Sequence, residues 1–124
     1  MNLEILPREL SICKLTSLRD FHPGEGFFAL CRTDSEISLV CPAEEVPETA
    51  AAREDGWRAL RVEGALDFSL TGILSRLTAV LADRGIGLFA VSTYDTDYIL
   101  VRAGDLDRAA NALADAGYGI RREI

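Results

Sequence analysis

From Trp57 onward strand-like runs are interrupted twice by a hydrophobic period of 3.6, and few folds accept that alternation. Leu60, Val62 and Gly64 alternate with Arg61 and Glu63, which is the pattern of a strand with one solvated face. Between Gly72 and Asp83, Ile73, Leu74, Leu77, Val80 and Leu81 share one helical face, and Gly85 stands where a helix end favours positive φ. Leu88-Phe-Ala-Val91 and Tyr98-Ile-Leu-Val101 are apolar at every position, so both read as strands that are central or covered by partners. Asp105 is a good N-cap for a second helix with Leu106, Ala109, Ala110 and Leu113 inward, ending at Gly117. Tyr118-Gly-Ile120 then returns as a short last strand. The order β-α-β-β-α-β over 57–124 is the ferredoxin-like split unit, with two helices on one face of a four-stranded antiparallel sheet.

The first half reads as a degenerate copy of the same unit. Residues 9–41 hold three strands in a similar order: 10–15, then Phe27-Phe-Ala-Leu-Cys31, then Glu36-Ile-Ser-Leu-Val-Cys41. A loop marked by Pro23-Gly24 stands where the first helix would be. Ala43 to Asp55 mixes Pro47 with acids and alanines and reads as a connection holding at most a short helical turn. The expected fold is therefore α+β, with two ferredoxin-like units in tandem: 1–55 degenerate, 56–124 regular.

Charge narrows the partners. The formal net charge is -7; residues 1–55 carry 11 acids against 5 bases, and residues 56–124 carry 9 against 8. Nucleic acid and anionic membrane are excluded as partners, because phosphate binding needs clustered Lys and Arg. The near-neutral second half can offer a pocket. Cys13, Cys31 and Cys41 lack metal-site spacing and sit in apolar runs, so buried free thiols are expected, with no metal, no cofactor and a reducing cytoplasm. His22 lies in a polar loop with no nucleophile spaced around it. With no phosphate-cradling, hydrolase or zinc motif, no catalytic residue is assigned.

Two stretches have ligand chemistry. The hydroxyl- and glycine-bearing approach to the first helix, Ser69 to Ile73, can present unpaired backbone N–H groups to a carboxylate. The polar turn from Ser92 to Asp97 carries Asp95 and Asp97, either of which can take an α-amino or guanidinium group in a charge-assisted hydrogen bond. Each residue has a plain structural role as well. Ser69 or Thr71 can cap the helix, Asp95 can favour the turn for backbone reasons, and Tyr94 and Tyr98 can pack on the sheet or stack on a ligand.

Asp67, Gly72, the run Gly85-Ile-Gly-Leu-Phe89, and above all Phe89-Ala-Val-Ser92-Thr-Tyr-Asp-Thr-Asp97-Tyr-Ile-Leu-Val101 resemble ACT domains, the amino-acid-sensing modules of aspartate kinases and other biosynthetic enzymes. The likeness extends to tandem ACT proteins, among them small stand-alone bacterial chains and the animal cytosolic arginine sensors. It implies a non-catalytic regulatory or sensor protein that binds an amino acid. Carried over by position, the ligand residues would be Ser69, Thr71, Gly72 and Ile73 at the helix start, and Ser92, Thr93, Asp95 and Asp97 on the turn. A homodimer is expected, since open sheet edges invite pairing. The competing reading is a protein-protein interaction module without a ligand. An acyl-phosphatase-like enzyme would need an arginine and an amide side chain around an anion loop, and loop 65–72 holds neither.

Overall fold

The computed structural model describes residues 1–64 and 72–122. In chain order these form β1 (Asn2–Ile5), β2 (Leu10–Leu15), β3 (Ala29–Arg32), β4 (Ile37–Pro42), β5 (Ala52–Val62), α1 (Ile73–Asp83), β6 (Leu88–Ser92), β7 (Asp97–Arg102), α2 (Leu106–Asp115) and β8 (Gly119–Arg122). Short 3-10 turns stand at Leu18–Asp20, Ala43–Glu45 and Ala103–Asp105. The chain divides into two compact units, one of Met1–Pro7 with Arg58–Ile124, the other of Arg8–Trp57.

In the larger unit β7 pairs with β6 and β5, β5 pairs antiparallel with β1, and β1 pairs parallel with β8. The strand order is thus β6-β7-β5-β1-β8. This corrects the expected four-stranded antiparallel sheet: the chain's first strand stands between β5 and β8. Its sequence explains the insertion. Leu3 and Ile5 are buried with Leu60, Val62, Ile99 and Val101 under the helices, while Glu4 between them faces Arg61 and Arg121 across both neighbouring strands. The expected division into 1–55 and 56–124 changes accordingly, since β1 joins the second unit and the first ends at Trp57.

Both helices lie where the apolar spacing predicts. α1 buries Ile73, Leu77 and Leu81, and α2 buries Leu106, Ala109, Ala112 and Leu113. Each fully buried aliphatic side chain contributes roughly 1.5–3 kcal/mol relative to exposure, so this cluster holds the unit together. Gly85 ends α1 at φ +70, its N–H donating to the Ala82 carbonyl while that of Ile86 reaches Leu81. Asp105 occupies the N-cap of α2 but makes no cap bond; its carboxylate takes Arg108 Nη1 at 2.9 Å. Among the described residues β6 pairs with β7 alone, so it is not central in the sheet, and Ala90 and Ser92 are exposed. Its apolar run reflects half-buried Leu88, Phe89 and Val91.

In the smaller unit β2 pairs antiparallel with β4 and with residues 52–57 of β5, and β4 pairs with β3. The strand β5 begins at Ala52, ahead of the expected Trp57, because the exposed polar run Arg53-Glu54-Asp55 hides its period. Cys13, Leu15, Phe21, Leu39 and Cys41 form the core, covered by Val46 and Ala50 from the loops. Phe21 meets Phe28 edge-on at 5.1 Å between ring centroids. Cys13 and Cys41 are the buried thiols expected, and burial pushes Cys41 up to about 12; Cys31 departs from expectation and is exposed on β3. Among the described residues its strand pairs with β4 alone and has an exposed face, so an apolar sequence there does not imply burial.

One local structure occurs twice, once in each unit. The turn before β4 closes with Thr33 N–H donating to the Glu36 carbonyl at 2.8 Å, and the turn before β7 closes with Thr93 donating to Thr96 at 2.8 Å. In both, the threonine Oγ1 accepts from the backbone N–H three residues on. Pro42 and Arg102, which end β4 and β7, have nearly identical backbones at φ -53, ψ 141 and φ -57, ψ 140, and a 3-10 turn follows each.

Candidate functional site

A cleft of about 310 Å³ opens in the larger unit, lined by Arg61, Val62, Gly64, Thr93, Asp95, Thr96 and Tyr98. Three pieces of chain supply it. β5 delivers Arg61 and Val62, and Gly64, at φ +85, turns the chain away just past the strand end. The tight turn between β6 and β7 supplies Thr93, Asp95 and Thr96, and β7 supplies Tyr98.

Thr96 fastens the turn to β5. It is buried, and its hydroxyl donates to the Val62 carbonyl at 2.7 Å. The turn's own hydrogen bonds, Thr93 N–H and Oγ1 to the Thr96 carbonyl at 2.8 and 3.1 Å, fix its shape without using Asp95. Asp95 is therefore left exposed at the cleft wall. The cation of the cleft, Arg61, is paired with Glu4 on β1, and Glu4 also lies 3.5 Å from Arg121 Nη2 on β8. Arg121 in turn holds Glu63, Nε to Oε1 at 3.0 Å, and that hydrogen bond keeps the Glu63 carboxyl below its usual range. Among the described residues the cleft so combines one guanidinium, one carboxylate and the hydroxyls of two threonines and a tyrosine.

Of the residues expected from the sequence, Thr93 and Asp95 line this cleft. Ser92 and Asp97 do not; they face each other as a cross-strand pair, Ser92 Oγ donating to Asp97 Oδ1 at 2.7 Å. Gly72 is the left-handed N-cap of α1 at φ +77, with its carbonyl taking Arg76 N–H at 2.9 Å. Ile73 is buried in the core. Ser69 and Thr71 lie outside the described residues. Sequence reasoning missed Arg61, Val62, Gly64 and Thr96, and weighed Tyr98 without assigning it. Strand alternation gave Arg61 to the solvated face correctly; nothing in the spacing said that the β6–β7 turn would stand over that face.

The sequence profile of the ACT domain family matches residues 52–115. The chain belongs to the ACT domain family. The match begins at β5 and ends with α2, so it takes in every residue that lines the cleft. A crystal structure of a protein from Agobacterium tumefaciens superposes with a TM-score of 0.89 at 35% identity, over 99% of this chain and 93% of that one. The human cytosolic arginine sensor for mTORC1 subunit 1 is 32% identical over 79% of this chain and 32% of its own length. This chain thus spans about a third of the arginine sensors it matches. The aspartate kinase of Clostridium acetobutylicum shares the fold alone, with a TM-score of 0.64 at 10% identity over 89% of this chain and 33% of that one. Among the described residues no helix is long and apolar enough to cross a membrane, and no three His, Cys, Asp or Glu side chains converge as a metal site.

Proposed function

We propose that this protein is a non-catalytic cytoplasmic sensor that binds a free amino acid in the cleft between Arg61 and Asp95. One observation carries the reading. A guanidinium and a carboxylate stand on the walls of one cleft whose other polar side chains, among the described residues, are hydroxyls. That charge pattern complements a zwitterion: the ligand carboxylate goes to Arg61 and its ammonium to Asp95, each in a charge-assisted hydrogen bond. Thr93 and Tyr98 border the space left for the side chain; Ser69, Thr71, Gly72 and Ile73 stay a separate proposal, as ligand contacts about the start of α1. The arginine sensors among the relatives support an amino acid as the class of ligand.

The reading includes two structural parts. The Arg8–Trp57 unit is taken as a second, shortened ACT unit, on the strength of the turn, strand and 3-10 sequence that it shares with the larger one. The chain is taken as a homodimer that pairs through an open sheet edge, because among the described residues β6 is bonded to β7 alone. Ligand binding would act by favouring one of two packings through its differential affinity.

Thermal unfolding against the twenty amino acids tests the reading. A ligand present at about 100 times its dissociation constant should stabilise the native state by roughly 2.7 kcal/mol. The shift should vanish in Arg61→Ala and Asp95→Ala and persist in Asp97→Ala. A flat response to all twenty would hand the lead to the ligand-free interaction module.

A further inference from the structure

In the turn between β6 and β7 the hydroxyl protons are already committed inside the protein. Thr96 is buried, and its Oγ1 donates to the Val62 carbonyl at 2.7 Å. Thr93 Oγ1 donates to the Thr96 carbonyl at 3.1 Å and accepts from the Thr96 N–H at 3.3 Å. A threonine hydroxyl has one proton and two lone pairs, so Thr96 keeps two lone pairs and Thr93 one, and neither keeps a donor. Asp95, exposed between them, adds a carboxylate, which accepts only. All three residues line the cleft. The side chains that the turn brings to this wall therefore form a surface of acceptors.

We propose that this wall selects the ligand's cationic group by its donors as well as by its charge: it takes an unsubstituted primary ammonium and rejects a hydroxyl or a quaternary ammonium in the same place. The inference rests on the proposed ligand site and deepens it, since Asp95 alone would attract any cation. An ammonium is a compact charge with three N–H donors and no acceptor. It can donate to Asp95 and to the lone pairs that the threonines keep. A hydroxyl brings one donor, and its own lone pairs then face the wall's oxygens with no proton between them. A quaternary ammonium keeps the charge without an N–H, so the oxygens that it covers lose water and gain no hydrogen bond. Thr96 makes the rule strict. To donate to a ligand it would have to release Val62, leaving that carbonyl without its donor. Sites of this kind discriminate well, because an analogue that lacks the donor leaves their polar atoms unpaired.

Three small probes with a common carboxylate separate donors from charge. Glycine carries the ammonium, glycolate has a hydroxyl in its place, and N,N,N-trimethylglycine keeps the charge without a donor. Each is titrated into the nitrogen-15-labelled full chain while the amide signals of residues 93–96 are followed by NMR. Glycine should shift them saturably, and the other two should bind at least about tenfold more weakly, the worth of one hydrogen bond to a charged group. Trimethylglycine as tight as glycine would mean that charge alone is read, and glycolate as tight would mean that the wall donates; either overturns the proposal. No saturable shift with any probe overturns it as well, whereas the ligand site itself falls only if the thermal screen of twenty amino acids is flat. Thr96→Val keeps the shape and removes the oxygen, so the gap between glycine and trimethylglycine should narrow; Thr96→Ser, which keeps the oxygen, should restore it. An unchanged gap in a folded Thr96→Val chain would take Thr96 out of the selection and overturn the proposal. If that variant does not fold, the three probes on the unaltered chain still decide.

Discussion

The hairpins β3–β4 and β6–β7 close through the same turn, yet their side chains differ wherever the turn meets its surroundings. Thr33 and Thr93 play one part in both, folding the backbone by accepting from the N–H three residues ahead. The side chains of the three residues after each threonine can then differ. In the smaller unit these are Asp34, Ser35 and Glu36, all exposed; in the larger they are Tyr94, Asp95 and the buried Thr96. Where Thr96 reaches the Val62 carbonyl, Glu36 stands in solvent. Where Tyr98 lines the cleft, Ser38 stands on β4. A turn whose shape is fixed by one residue can thus be fitted to a site by changing the others.

Core truncation should have the largest effect and should rank the two units. Leu39 and Ile99 occupy matching places on β4 and β7 and are both fully buried. Ile99 lies in the cluster under two helices, which cannot close over a missing side chain, so Ile99→Ala should cost about 3–4 kcal/mol in urea unfolding. Leu39 is covered in part by loop residues such as Val46 and Ala50, which can settle into the space. Leu39→Ala should cost about 2–3 kcal/mol, since cavities that collapse are less costly. Equal losses would mean that the smaller unit is packed as rigidly as the larger.

A smaller effect separates the turns themselves. Thr96→Val removes a buried hydroxyl and leaves the Val62 carbonyl without that donor, so it should lower stability by about 1–2 kcal/mol. Glu36→Ala, at the matching exposed position, should stay within about 0.5 kcal/mol. Urea midpoints at constant slope would read both. If Thr96→Val proves as mild as Glu36→Ala, the turn is held to β5 by packing and not by its hydroxyl.

The limits of the sequence reading follow from the same contrast. Both helices were legible because their apolar stripes recur over eleven and ten residues and are stopped by Gly85 and Gly117. The turn was legible because Ser, Thr and Asp cluster between two apolar runs. The position of β1 was not, since Leu3 and Ile5 around Glu4 describe a strand but name no neighbour. Parallel pairing with β8, at the far end of the chain, leaves no local mark. The cleft shared that fate. Arg61 and Asp95 come together only once β7 is laid beside β5, and a period of two says which face Arg61 takes without saying what covers it. The pairing of Ser92 with Asp97 was equally hidden, being a matter of register across a hairpin.

The finest contrast concerns Cys41 and its counterpart on β7, Val101, both fully buried. Desolvation pushes the Cys41 thiol up to about 12 from an ordinary 9.0, and also raises Cys13 beside it. In the unfolded chain both thiols ionise near 9, while in the folded chain they stay protonated above that. The unfolded state therefore binds fewer protons between pH 9 and 12, and stability must fall as pH rises through that window. Below pH 9 the groups are protonated in both states and contribute no pH dependence. Cys41→Val puts in the residue that the larger unit already uses at this place and nearly conserves volume, so at pH 7 it should change stability by less than about 1 kcal/mol. Above pH 9 the variant should lose stability less steeply than the unaltered chain, by the share that belongs to one thiol. Urea midpoints at pH 7, 9 and 10 would measure it. A parallel loss in both proteins would assign the alkaline sensitivity to other groups and leave Cys41 as a small apolar residue, equivalent to Val101 in chemistry as well as in place.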